Sequence, residues 1–146
     1  MQLPGTPPRL KIAPEEAPDE ASRAALAEGL DAHSAGLGLP GDWRPHWIFG
    51  RDADGEVQAG VRYLLVFDWL FVHWLWVAEG HRRRGVGSRL LMSAEEAARA
   101  KGCHGAYLDT FTFQAPKFYE RHGYREFGRL DDFPPGHSGV WFSKRL

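Results

Sequence analysis

Three arginines and two glycines carry the most chemistry in this chain. They stand in the run Glu79-Gly80-His81-Arg82-Arg83-Arg84-Gly85-Val86-Gly87-Ser88. The apolar stretch Leu70 to Val77 precedes them and reads as a buried strand. After them Val86, Leu90, Leu91, Ala94, Ala97 and Ala98 fall three or four residues apart, a helical period. A helix that begins here has N–H groups without intrahelical partners, and its dipole makes that end positive. Glycines at 85 and 87 carry no Cβ, so an anion can come close to the backbone. Arg82, Arg83 and Arg84 raise the local positive potential. This stretch suits the binding of phosphate groups; the plain alternative is an ordinary helix entry with solvated arginines.

Spacing separates three kinds of phosphate loop. A P-loop needs Gly, four residues, then Gly-Lys-Ser/Thr. Gly80 and Gly85 give the interval, but Val86 and Gly87 stand where lysine and the hydroxyl belong. A dinucleotide fingerprint, Gly-x-Gly-x-x-Gly, is met by Gly85 and Gly87 and broken by Leu90. Asp109 lies about where a ribose-binding acid belongs, yet the chain has room for one βαβ unit of this kind rather than two. The third pattern, Arg/Gln-x-x-Gly-x-Gly/Ala, is met in full by Arg82, Gly85 and Gly87. It resembles the pyrophosphate loop of the GNAT N-acetyltransferase superfamily, which binds acetyl-CoA. Some thirty residues on, Ala115, Phe118, Tyr119, Gly123 and Tyr124 resemble the superfamily's next motif, Ala-x-x-Phe-Tyr-x-x-x-Gly-Phe/Tyr. The resemblance covers roughly residues 57–146 and, more loosely, the whole chain. Residues 108–119 also resemble one bacterial subgroup of uncertain substrate.

The resemblance implies roles for particular residues. Backbone N–H groups of Arg83, Arg84, Gly85, Val86, Gly87 and Ser88 would hold the pyrophosphate, with Arg82 and Arg84 adding charge. Leu75, Trp76 and Val77 would pair with the pantetheine arm through their main chain, with the Val77 N–H at the thioester oxygen. Ala115 and Phe118 fall in the cofactor segment, and Phe118 also reads as core. Tyr119 matches the general acid: a phenol of pKa about 10 keeps its proton at neutral pH and can pass it to a leaving thiolate. Its rival reading is an aromatic on the buried face of a helix. Thr112 stands where many relatives have an asparagine that contacts the cofactor.

An amine acceptor of pKa about 10.4 is mostly protonated at pH 7, so a base or a water chain must take its proton. The candidates are His73, Asp109 and, less well placed, Glu79; for His73 a core histidine is an equal reading. Cys103 follows Gly102 at a helix C-terminus, where the dipole raises a thiol pKa, which argues against an acyl-enzyme. No His-Glu-x-x-His or Cys-x-x-Cys spacing occurs, so no metal is expected. The aromatics Phe67, Trp69, Phe71, Trp74 and Trp76 crowd one stretch, and some are candidates for an acceptor pocket or a dimer face.

Composition bounds the rest. With 43% hydrophobic residues among 146 the chain can bury a core, and its length suits one domain. A formal charge of −1 gives no general attraction to nucleic acid or an anionic membrane. No run reaches the roughly 18 apolar residues of a membrane span. The first residues lack the basic start and apolar core of a secretion signal, and the single cysteine suits a reducing compartment. The expected location is the cytoplasm.

The elements that must position these groups follow from pattern. Residues 1–8 are rich in proline and glycine and are expected to be a flexible N-terminal segment, with the acetyltransferase-like domain at 9–146. Arg9–Ala13 is an expected strand, and a helix follows to about His33. The breaks at Gly36–Gly41, Asp52–Gly55 and Phe67–Trp69 separate strands at 43–51, 57–67 and 70–77. A helix over 84–101, closed by Gly102, turns Glu95 and Glu96 to water. Strand 105–110, helix 114–122 and strands near 124–129 and 140–144 complete the chain, and Gly60 hints at a bulge or a close backbone approach. The expected fold is α/β of the α+β type. It has a mixed, mostly antiparallel sheet of about six or seven strands, about four flanking helices and one right-handed βαβ crossover carrying the pyrophosphate loop.

The function implied is transfer of the acetyl group of acetyl-CoA to a primary amine of a small molecule or peptide, directly in a ternary complex. The alternative is a non-catalytic acyl-CoA binding or sensing protein of the same fold. A nucleic-acid module built on Arg82–Arg84 is the remaining rival, and the balanced charge opposes it. The loops at 34–46 and 130–139 are where the acceptor pocket would be shaped. A homodimer is compatible with the sequence.

Overall fold

A computed structural model describes residues 9–39 and 43–146, so the expected flexible segment 1–8 lies outside the described residues. The described residues fall into two compact units that divide after Gly38. The first contains one helix, α1 (Glu20–Gly36). An Asp19 side-chain oxygen accepts from the Ser22 N–H at 2.7 Å and so satisfies one first-turn donor. Arg9–Ala13, expected as a strand, has no regular structure. Extended propensity alone does not make a strand; cross-strand hydrogen bonds do, and this segment joins no sheet.

The second unit is a six-stranded sheet in the order β1-β2-β3-β4-β6-β5. Its strands are β1 (His46–Arg51), β2 (Val57–Val66), β3 (Trp69–Val77), β4 (Gly105–Phe111), β5 (Arg125–Asp131) and β6 (Ser138–Arg145). Only β3 and β4 run parallel, joined through helix α2 (Val86–Ala100); every other neighbouring pair is antiparallel. That is the mixed, mostly antiparallel sheet with one βαβ step that the pattern predicts. A 3₁₀ turn (Glu79–His81) and a short helix α3 (Pro116–Arg121) complete it. The reversal between β2 and β3 has positive φ at both Phe67 (49°) and Asp68 (62°), the geometry of a two-residue hairpin whose twist matches its strands.

One core cluster sits between the sheet and α2. From the strands come Val61, Leu70, Val72, Leu108, Val140 and Phe142; from α2 come Leu90, Leu91, Ala94 and Ala98. Each buried leucine stabilises by roughly 1.5–3 kcal/mol relative to exposure. Both α2 and α3 end in the same device. Gly102 (φ 84°) and Gly123 (φ 85°) take the left-handed conformation. Cys103 N–H then donates to Ala98 O, and Tyr124 N–H to Tyr119 O. These six-to-one bonds satisfy carbonyls the helix leaves open.

Glu95 is a correction to the sequence reading. It is 2% exposed rather than facing water. Its carboxylate accepts from Tyr124 Oη at 3.0 Å and from Lys144 Nζ at 3.0 and 3.1 Å, so the buried charge is partnered, as burial demands.

Candidate active site

The site begins at an irregularity in β3. Arg62 pairs with Trp74 and Tyr63 with Val72, so His73 is an extra residue without a partner on β2. A bulge of this kind bends its strand and re-aims side chains. Both His73 and Trp74 consequently lie exposed. On the other edge, β3 pairs with β4 only from Trp69 to Val72. Beyond that point the two parallel strands part, and residues 73–77 of β3 have no strand beside them on that edge.

The parting opens a cavity of about 760 Å³. Leu75, Trp76 and Val77 line it from β3, and Arg82, Arg83, Gly85, Val86, Gly87 and Ser88 from the loop and the start of α2. Asp109 comes from β4, and Ala115, Phe118 and Tyr119 from α3 and the residue before it; His73 completes the set. Almost every sequence-derived candidate therefore meets in one place. Three do not line it: Arg84, Thr112 and Glu79. The Thr112 hydroxyl accepts from the Ser138 N–H at 3.0 Å and braces the end of β6. Glu79 is exposed in the 3₁₀ turn.

Residues that sequence reasoning missed also line it, among them His81, Thr110, Phe113, Gln114 and Arg121. Gln114 Oε1 accepts from Thr110 Oγ1 and from the Phe111 N–H, at 3.0 and 3.2 Å. Its place two residues after Thr112, at the same turn, was the available signal.

The N-terminus of α2 is built for a negative group. No side chain caps it, and its first turn holds no acid. Gly85 supplies the entry with φ 73°, and Arg83 beside it also has positive φ, 59°. The Phe118 ring lies over bare Gly87, where a Cβ would stand 3.5 Å from it. Arg82 does more than contribute charge: its Nε donates to Val77 O at 2.9 Å and ties the loop to the end of β3. Uncapped N–H groups with nearby guanidinium groups are a donor set that fits a diphosphate. Among the described residues, no group of three or more His, Cys, Asp or Glu could hold a metal ion.

Tyr119 is 8% exposed. Burial, and then the charge of Asp109, push its phenol up to about 12. His73 goes the other way: partial desolvation of an otherwise exposed ring and then the Arg62 charge lower it, while Asp109 opposes. An Arg62 Nη1 N–H donates to His73 Nδ1. Arginine only donates, so Nδ1 is the acceptor and the proton of the neutral ring sits on Nε2. Asp109 has no side-chain hydrogen bond among the described residues. Cys103 is buried, with its thiol pushed up by burial and then by Asp68, and it does not line the cavity.

Comparison with known proteins agrees with this geometry. The sequence pattern described as "Acetyltransferase (GNAT) family" matches residues 11–124. An acetyltransferase of Agrobacterium fabrum is 35% identical over 128 residues, 88% of this chain and 93% of its own length. The blasticidin-S acetyltransferase of Streptomyces morookaense is 46% identical over 93 residues, 63% of this chain and 68% of its own. The crystal structure of an acetyltransferase from Bacillus cereus superposes with a TM-score of 0.80 at 33% identity, covering 92% of this chain and 98% of that one. The chain belongs to the acetyltransferase (GNAT) family.

Proposed function

We propose that this protein transfers the acetyl group of acetyl-CoA to a primary amine of a small molecule or peptide, directly and within a ternary complex. One observation carries the reading. An uncapped helix N-terminus, the strand edge left where β3 parts from β4, and the buried Tyr119 all converge on a single cavity. The first-turn N–H groups of α2 would hold the diphosphate, helped by Arg82 and Arg83. The open edge of Leu75–Val77 would pair with the amide-bearing arm as an added strand does. A Val77 N–H at the thioester oxygen would stabilise the developing oxyanion by about 3 kcal/mol.

The thioester supplies an activated carbonyl and a thiolate leaving group. Asp109 takes the proton of the acceptor ammonium, and the free amine forms the C–N bond. The C–S bond breaks, the Tyr119 Oη–H gives its proton to the departing sulfur, and the second proton released from the new amide nitrogen passes to the Tyr119 phenolate, which restores the phenol. Asp109 is favoured over His73 as the base because the Nδ1 lone pair of His73 is engaged by Arg62. A relative that acetylates blasticidin-S favours a small-molecule acceptor over a protein.

The test combines calorimetric binding of acetyl-CoA with a thiol-release assay across a panel of amines. Binding, together with amine-dependent release of CoA, is expected. No binding, and no release with any amine, would overturn the proposal.

A further inference from the structure

We infer that His122 is a positioning residue for the diphosphate end of the cavity, acting through the hydroxyl of Ser88; the inference rests on the acetyl-CoA reading above. His122 caps the C-terminus of α3, and Ser88 lies in the first turn of α2. Although 34 residues apart, His122 Nε2 and Ser88 Oγ stand 2.8 Å from one another. Ser88 lines the cavity and His122 does not; the ring lies behind the serine, in a second hollow it shares with Glu95, Arg99 and Lys144. Two contacts fix its place. Its backbone N–H donates to Tyr119 O at 3.0 Å, and the Phe118 ring stands 4.9 Å from its own.

The direction of the Ser88–His122 bond decides what Ser88 can do. A serine hydroxyl has one proton and two lone pairs. With that proton given to His122, Ser88 would show an incoming phosphate only lone pairs, which repel it. With His122 Nε2–H donating to Oγ, the hydroxyl proton is free to turn into the cavity as one more donor. The surrounding first turn is uncapped and carries no acid. Its N–H groups and dipole draw a negative group to this end, and the second arrangement agrees with them. The ring needs no positive charge for this. Burial is the main influence lowering its pKa; Lys144 and Arg121 add to it while Glu95 opposes, and the neutral Nε2–H tautomer donates. The cation of protonated His122 would donate as well, so the bond survives mild acid.

Calorimetric Kd for acetyl-CoA and saturating kcat would be measured for wild type, H122L, H122Q, S88A and the double variant S88A/H122L. The amide N–H of glutamine reaches about where imidazole Nε2 stands, so H122Q keeps the donor. H122L should bind acetyl-CoA about three- to tenfold more weakly, the worth of one hydrogen bond. Its kcat at saturation should fall less than about twofold, because the contact is distant from the reacting carbonyl. H122Q should restore binding, and the double variant should match S88A. The inference is overturned by H122L binding as tightly as wild type, by H122Q binding as weakly as H122L, or by additive losses in the double variant. Wild-type protein that binds no acetyl-CoA would bring down the proposed function itself, and this inference with it.

Discussion

In the proposed reaction Tyr119 and Asp109 act together, and the carboxylate bears on the phenol. The carboxylate of Asp109 adds to burial in pushing the Tyr119 phenol up to about 12, so the proton the leaving thiolate needs stays on the ring throughout neutral pH. A donor whose pKa is raised remains protonated below that value. Loss of the Tyr119 proton therefore should not lower the rate anywhere below about pH 11. Removing the hydroxyl should lower it: Tyr119→Phe is expected to reduce kcat about 10²-fold, with the KM for acetyl-CoA within about threefold. An unchanged kcat would remove Tyr119 from the role of proton donor. Asp109 and His73 are separated by their partners. Asp109→Asn should reduce kcat/KM for the amine by about 10²-fold. His73→Gln should cost much less, since Nδ1 already accepts from Arg62. Steady-state kinetics in the amine distinguish the two, and a larger loss at His73 would reverse their roles.

Tyr119 is held by the way its helix ends. In α3 the Tyr124 N–H reaches back to Tyr119 O at 3.1 Å, and the two rings meet edge to face 6.0 Å apart. Gly123 makes that closure possible with φ 85°. Gly102 closes α2 with the same geometry, far from the chemistry. An alanine at either position meets no close atom: nothing lies within 4 Å at Gly102, and Lys144 Cε lies at 3.7 Å at Gly123. The penalty is thus the left-handed backbone alone, about 1–2 kcal/mol. Urea denaturation should show Gly102→Ala and Gly123→Ala losing similar stability. Only Gly123→Ala should also lower kcat, because it disturbs the turn that seats the phenol. The glycines, the helical period of α2 and the two motifs were legible in sequence because each is a local signal. What was not legible depends on residues far apart. Glu95 reads as a solvated charge by type, and the partners that let it be buried lie 29 and 49 residues away. Its spacing of four from Leu91 was the one hint. The bulge at His73 has no glycine or proline to announce it. Gly60, which hinted at a bulge or a close backbone approach, shows the second: the Phe49 ring and the Ile48 carbonyl oxygen lie 3.0 and 3.3 Å from where its Cβ would stand. Arg9–Ala13 has strand-like residues but pairs with no strand of the sheet.

The cavity in the second unit lies where the pairing of β3 with β4 stops at Val72. A cleft lined by Arg82, Arg83 and Arg121 on a chain of net charge −1 concentrates attraction for an anion in one place. Ligand binding to such a cleft should therefore appear as stability. At one hundred times its Kd, acetyl-CoA adds about 2.7 kcal/mol to the unfolding free energy. For a chain of this size that is a rise in Tm of roughly 6–10 °C. The rise should shrink with added salt, because the diphosphate is held partly by charge. Gly85→Asp is the decisive control. Its backbone must hold φ 73°, which destabilises any residue with a Cβ, and its carboxylate would stand at the anion-binding end of α2. The variant should melt somewhat lower by itself and gain nothing from acetyl-CoA. Arg82→Ala and Arg83→Ala should each keep part of the gain, because N–H groups of α2 remain. A Gly85→Asp protein stabilised as much as wild type would place the coenzyme elsewhere and remove the physical basis for the loop's role.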